Sequence, residues 1–412
     1  MTARSRISLL LPVATVIALV VVPAWMASDN LHAVVESTSY DRLLLGLRTL
    51  DPQPGTPRWD AHFPLGTAAL MSVPWSTGLD PVLFGRSVSL VGSLLAAVAF
   101  LALLVRACGP VAAAGGAAAL FLVPAFTRGA VVTGEEAPCT ALLLLGAWAL
   151  VRGHGAERKT GWMLASLLAV NGMVLFRLDA MTLVPLFALL GLAAWGVRRG
   201  AVYGALSFVS TLGHVALSWV SIGDPVGFAR VASMNIRRNA EGFDALGPDV
   251  LPFNLAAELG GWPVLVGALL GLGFLLRGRD GERAAARTLG VLLGGALLVD
   301  LVLTMSGAME ARTMRYLVPL LTLCVAGNAA LVGAVLRRGR GAGAAVGLGL
   351  FALMLGQVGE IRRQAADERL PEGLVQTAEW LGAHAGPGVV LVGEQHPTFV
   401  VHSGLPWTQL DV

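Results

Sequence analysis

Runs of about 17–25 consecutive apolar residues recur along this 412-residue chain from its first residues to about position 358. Each is long enough to cross a ~30 Å hydrocarbon layer as a helix, and a helix satisfies its own backbone hydrogen bonds where no water can. Hydrophobic residues make up 55% of the chain and charged ones 13%, with a mean hydropathy of +0.72, too little charge for a soluble globule. The net charge of +3 does not point to nucleic acid, because no basic block exceeds two or three residues and none is interleaved with aromatics. Cys108, Cys139 and Cys324 have neither metal-ligand spacing nor an even count, so no disulfide framework is expected.

Polar breaks divide the apolar runs into spans near 7–26, 82–105, 110–127, 134–151, 161–176, 180–197, 201–221, 262–276, 287–305, 315–336 and 342–358. The expectation is an all-α polytopic membrane protein of about eleven transmembrane helices, with an uncleaved first span. With the N-terminus inside, the short cytoplasmic segments hold about half of the 29 basic residues, among them Arg106, Arg152, Arg198, Arg277 and Arg338. That distribution obeys the positive-inside rule. Of the 26 acidic residues only Glu157, Asp280 and Glu282 fall on the same side, so nearly every carboxylate is placed outside or at the outer interface.

Residues 1–358 form the membrane domain, with outer loops at 27–81 and 222–261, and residues 359–412 form a short extracytoplasmic tail. Leu43, Leu44, Leu47 and Leu50 recur at helical spacing and predict an amphipathic helix lying on the membrane. The tail reads as a helix over Leu374–Ala383 and then a strand at 388–392, a small α/β unit packed on the outer loops.

Candidate chemistry lies at the outer face. Glu36-Ser37-Thr38-Ser39-Tyr40-Asp41-Arg42 follows the first span and puts two carboxylates at headgroup level. Glu135-Glu136 stand at the outer mouth of the 134–151 span, where helix capping accounts for one carboxylate; the second, repelled by the first, has to find a cation or a metal. Arg177-Leu178-Asp179 interrupts a long apolar stretch, and its two charges either pair with each other or serve a site. Asp300 lies inside its span and needs a partner, which Arg315-Tyr316 offers unless Arg315 holds a lipid phosphate instead. His62 has no second histidine at ligand spacing.

In this order the motifs resemble the GT-C superfamily, in particular polyprenyl-phosphate-sugar enzymes of the protein O-mannosyltransferase and lipid A aminoarabinose-transferase type. Glu36-Ser37-Thr38-Ser39-Tyr40 is similar to the family's Asp-Glu-x-x-Tyr stretch, with Glu for Asp and Ser for the neighbouring Glu, which keeps Asp41 as a rival for the leading carboxylate. His62-Phe63-Pro64-Leu65 resembles its His-Pro-Pro-Leu segment, Phe84-Gly85-Arg86 its later arginine, and Glu135 or Glu136 its acidic residue at the fourth span. Phe176-Arg177-Leu178-Asp179-Ala180 resembles its Thr-Arg-x-Asp-Gly turn and Arg315-Tyr316-Leu317-Val318-Pro319-Leu320 its Arg-Tyr-Leu-x-Pro-Leu.

The resemblance implies a GT-C-like bundle in a bacterial inner membrane. It also implies an inverting transfer of sugar from a polyprenyl-phosphate donor to an extracytoplasmic acceptor. Glu36 or Asp41 is then the catalytic base. Tyr40, His62, Glu135, Glu136, Arg177, Asp179, Arg315 and Tyr316 contact the substrates, membrane lipid surrounds the site, and a divalent cation is an optional cofactor. Two other classes fit a polytopic chain. A transporter would put polar, broken helices at the bilayer midplane, and an inactive scaffold would keep the helices without the acidic pair.

Overall fold

The computed structural model describes residues 37–50, 64–154, 156, 159–227, 230, 250–278, 283–305, 317–367, 372–386, 388, 390–391, 396–403, 405 and 410–411. The expected span at 7–26 lies outside them, as do Glu36, His62, Arg315 and Tyr316, and Tyr40 and Asp41 are described in their backbone only.

The described chain is almost wholly helical. Two helices of the first outer loop, α1 (Ser37–Leu50) and α2 (Leu65–Thr77), precede the long α3 (Pro81–Cys108). Then come α4 (Pro110–Leu120), α5 (Pro124–Val131), α6 (Glu136–Gly153), α7 (Lys159–Phe176), a 3-10 turn at Asp179–Leu183, α8 (Val184–Ser207) and α9 (Val209–Ile222). Then run α10 (Val250–Leu259), α11 (Trp262–Arg277), α12 (Arg283–Met305), α13 (Val318–Arg338) and α14 (Arg340–Leu355). The tail holds α15 (Gln357–Asp367), α16 (Glu372–His384) and α17 (His396–Ser403), with a two-residue parallel pair, β1 (Val390–Leu391) and β2 (Leu410–Asp411).

Among the described residues six helices are long and apolar enough to cross a membrane, or eight if two bent pairs each count as one. Three stretches of the chain bend for local reasons. The 110–127 run is broken between α4 and α5 by 66°, just before Pro124, whose ring cannot continue a helix. The runs at 180–197 and 201–221 fold back at Gly196, which adopts φ 77°, ψ 171°, a conformation open to glycine. The fold-back is tight enough that a Cβ on Gly191 would strike the Tyr203 ring and one on Gly200 would lie 2.5 Å from the Leu192 Cα. The run at 262–276 is preceded by α10, turned 100° from α11 through Gly260 and Gly261 at φ 96° and 119°.

Small residues set how closely the helices approach. Helix α13 is the hub, with 83% of its apolar window buried against 11% for the peripheral Arg340–Ile361 segment. A Cβ on Gly271 of α11 would overlap the carbonyl of Gly327 on α13, one on Gly333 would lie 2.7 Å from the Cys108 carbonyl at the end of α3, and one on Gly116 of α4 would lie 2.9 Å from Ala329. Such backbone-level contacts are how helices associate where lipid offers no hydrophobic drive.

These contacts put the basic helix termini at one end of the bundle, with Arg152 over the rings of Trp148 and Trp162 at 5.6 and 5.4 Å and Arg338 over Phe274 at 5.9 Å. The loop helices, the tail and Glu135-Glu136 gather at the other. The predicted amphipathic helix is present as α1, but its apolar face turns inward rather than onto lipid. Leu43 packs on Met71 of α2, and Leu44 packs on Ala378, Phe399 and Val400 of the tail, while Leu50 alone of the predicted stripe is well exposed, at 46%. A Cβ on Gly46 would overlap the Met71 backbone, and the Trp75 indole donates to the Leu43 carbonyl at 2.8 Å, so α1 and α2 form one hairpin. Helix α16 spans the segment expected to be helical in the tail, β1 falls within the expected strand at 388–392, and α2, α10, α15 and α17 occupy segments expected as loop or tail.

Gly271→Val forces α11 and α13 apart and is expected to cost about 1–3 kcal/mol or more. Gly273→Ala, whose Cβ would meet nothing within 4 Å, is expected to be neutral or slightly stabilising. Thermal unfolding of the two variants in one detergent distinguishes them.

Candidate functional site

The acidic end of the bundle is organised by one face of α3. Gly85, Ser89 and Gly92 fall on the same side at helical spacing and receive the segment between α5 and α6. A Cβ on Gly85 would overlap the Thr133 side chain, and one on Gly92 would lie 2.7 Å from the Pro138 nitrogen. Ser89 clasps Gly134 from both sides, its hydroxyl donating to the Gly134 carbonyl at 3.2 Å and accepting from its N–H at 3.1 Å. Glu135 and Glu136 are thereby held at the start of α6.

Three other segments converge there. Arg42 reaches in from α1, 5% exposed, and Arg177 from the end of α7, 2% exposed. The Arg42 guanidinium pairs through Nε with Glu135, donates from Nη2 to its Oε1 at 2.8 Å and from Nη1 to the Thr133 carbonyl at 3.4 Å, and lies 3.6 Å from Glu136 Oε1. Arg177 lies 3.8 Å from the same Glu136 oxygen and grips Asp179 with two bonds, Nε to Oδ1 at 3.0 Å and Nη2 to Oδ2 at 2.7 Å. The third segment is the start of α2. Thr67 donates to the Phe176 carbonyl at 3.3 Å, and a Cβ on Gly66 would lie 2.7 Å from the Leu175 carbonyl, so the start of α2 packs against the end of α7.

The result is a ladder of alternating sign, Glu135, Arg42, Glu136, Arg177, Asp179, with one more carboxylate than guanidinium. Glu136, at its centre, is 4% exposed, and its Oε2 has no hydrogen-bond partner among the described residues. Burial by itself would lower the Arg177 pKa; Asp179, and after it Glu136, outweigh that and raise it above the ordinary arginine value. Asp300 lines a cavity of about 20 Å³ with Arg177, Asp179, Thr182 and Pro319, room for about one ordered water and too little for a sugar.

Of the sequence-predicted residues, the structure brings together Glu135, Glu136, Arg177 and Asp179. The pairing of Arg177 with Asp179 is one of the two alternatives the sequence posed. The cation sought by the adjacent glutamates is Arg42, seconded by Arg177, and among the described residues no group of three or more His, Cys, Asp and Glu is placed to hold a metal. Arg42 had been given no role; its signal was position, one residue after Asp41 on the polar side of the predicted helix. Glu36, His62, Arg315 and Tyr316 lie outside the described residues, and of Tyr40 and Asp41 the placement on α1 is what is described.

Removing Arg42 takes a paired cation from the partly buried Glu135 and leaves the buried Glu136 with Arg177 at 3.8 Å. Arg42→Ala is expected to cost about 3–5 kcal/mol, the scale for breaking a buried ion pair, and Arg42→Lys should recover only part, since an ammonium cannot fork across two acids. Unfolding in detergent measures both, and an Arg42→Ala protein as stable as the parent would remove the ladder as an organising interaction.

No protein-family model matches the chain, and no curated protein matches it at a significant level. Solved structures do. ArnT from Cupriavidus metallidurans bound to undecaprenyl phosphate matches with a TM-score of 0.63 at 15% identity, over 98% of this chain and 86% of that one. The apo state of the same protein matches at 0.60 and 15%, over 97% and 85%. The Archaeoglobus fulgidus oligosaccharyltransferase in complex with Zn and sulfate matches at 0.55 and 10%, over 98% of this chain and 57% of the longer relative. At these identities the likeness is one of backbone architecture, and it runs nearly end to end: this chain shares the fold of the ArnT structures.

Proposed function

We propose that this protein is an integral-membrane glycosyltransferase that moves a sugar from a polyprenyl-phosphate donor to an extracytoplasmic acceptor, with inversion at the anomeric carbon. The observation that carries the reading is the buried charge ladder, because it fastens α1 to the mouth of α6. Helix α1 begins one residue after Glu36 and bears Tyr40 and Asp41 beside the anchoring Arg42. Asp41 therefore belongs to a helix pinned at the acidic end of the bundle, and Glu36 directly precedes that helix in sequence. The ArnT structure with undecaprenyl phosphate supports a lipid phosphate as the donor's carrier.

In this reading the acceptor hydroxyl attacks the anomeric carbon while Glu36 or Asp41 takes its proton. The bond between that carbon and the phosphate oxygen breaks, and the polyprenyl phosphate leaves as a monoester anion. That leaving group needs no protonation, so one base suffices where glycoside hydrolysis uses two carboxyl groups. Arg315 meets the phosphate, and Arg177, held by Asp179, adds positive potential from below. Glu135, Glu136 and Asp179 hold the two arginines, and Tyr40, His62 and Tyr316 contact the substrates. Arg42 and Arg177 already supply the positive charge that the adjacent glutamates require, so the reading assigns no divalent cation to that pair. The basic end of the bundle faces the cytoplasm by the positive-inside rule, which puts the site on the outer face of a bacterial inner membrane. Acceptor choice falls to the second outer loop and the tail.

The test is transfer by purified full-length protein in lipid nanodiscs, offered a panel of radiolabelled polyprenyl-phosphate sugars with membrane extract as the source of acceptor. Turnover with at least one donor is expected. Either Glu36→Gln or Asp41→Asn should reduce it by about 10²–10⁴-fold, the contribution typical of a general base. Donor binding without turnover would favour a scaffold that keeps the fold without the chemistry, and neither binding nor turnover would overturn the reading.

A further inference from the structure

Helix α5 is the floor of the site. It is 8 residues long, bent 66° out of line with α4, and it leads directly into Thr133, Glu135 and Glu136. A Cβ on Gly129 would lie 3.5 Å from the Glu136 Cβ. Its own N-cap, Val123, offers no side-chain acceptor, so the first amide groups of a buried helix start would be left unpaired.

The acceptor comes from elsewhere. Glu258, on α10 and 7% exposed, takes a hydrogen bond from the Ala125 N–H at 3.0 Å across 133 residues of sequence. A carboxylate at a helix N-terminus is favoured by the dipole as well as by the hydrogen bond. Here it belongs to the helix that ends the second outer loop, just before the chain turns 100° through Gly260 and Gly261. The tail meets the same joint, since Gln357 donates to the Ala257 carbonyl at 2.7 Å and α15 packs along α5. No step of the proposed reaction uses Glu258.

We propose that Glu258 is a positioning residue that ties the second outer loop to the catalytic shoulder. By capping α5 it fixes the angle at which that helix presents Glu135 and Glu136 to Arg42, so that the position of α10 sets the geometry of the charge ladder. The link to catalysis rests on the glycosyltransferase reading; the mechanical link does not.

Two measurements on the full-length protein separate them. In a thermal-unfolding cycle of Glu258→Ala, Arg42→Ala and the double variant, sites at opposite ends of α5 should shift Tm independently unless α5 couples them. A double variant whose Tm loss falls clearly short of the sum supports the proposal, and strict additivity overturns it, whether or not a donor has been found. Where turnover is available, Glu258→Ala should lower kcat about tenfold with donor KM unchanged, and Glu258→Gln, whose amide oxygen still accepts from Ala125, should restore most of the rate. Loss of donor affinity instead, or a Gln variant no better than Ala, would likewise overturn it.

Discussion

The arrangement of the acidic end depends on Glu136 keeping its place between two guanidiniums. A carboxylate 4% exposed beside another carboxylate carries a desolvation cost that only close, fixed cations can offset. Those cations come from segments far apart in the chain, α1 and the end of α7, and each is fixed in turn, Arg42 by Glu135 and the Thr133 carbonyl, Arg177 by Asp179. Moving either arginine withdraws a cation from the buried Glu136. Helix α1, the α7 turn and the α6 start are therefore locked into one relative position.

That lock presupposes a scaffold that lets backbones come close. Gly85, Ser89 and Gly92 bring the acid-bearing segment against α3, and Gly271, Gly327 and Gly333 bring α11, α13 and α3 to within backbone contact. Larger residues at these positions would force the helices apart. Packing and electrostatics are thus not separable here: glycine spacing determines whether the charges meet, and the charges hold the loop helices that hydrophobic packing alone joins only through small clusters such as Leu44 with Ala378, Phe399 and Val400.

Much of the architecture was legible beforehand, because span length and charge asymmetry follow from the physics of lipid and need no tertiary information. Glu135-Glu136 announced a missing cation, and Arg177-Leu178-Asp179 announced a pair, since both are local arguments about charge in a poor solvent. The breaks within 110–127 and between α10 and α11 were less visible. Hydropathy is continuous across Phe121–Pro124, and the glycines at 260 and 261 signal a turn without its angle. Arg42 was passed over because on its own helix it looks like an ordinary solvent-facing arginine. Glu258 had a signal, a lone carboxylate within the apolar run from Val250 to Phe274, but nothing in the sequence names its partner 133 residues away.

By itself, then, the sequence determined that this chain is a helical membrane protein, which end carries its basic residues, and that its carboxylates collect at the opposite end, all consequences of how each residue partitions between lipid and water. Only the tertiary structure decided which arginine answers which glutamate, that the amphipathic helix faces protein instead of lipid, and that α5 is capped from the second outer loop. Those outcomes depend on distances between segments, and such distances are set by packing at glycine and serine positions whose partners no local pattern reveals.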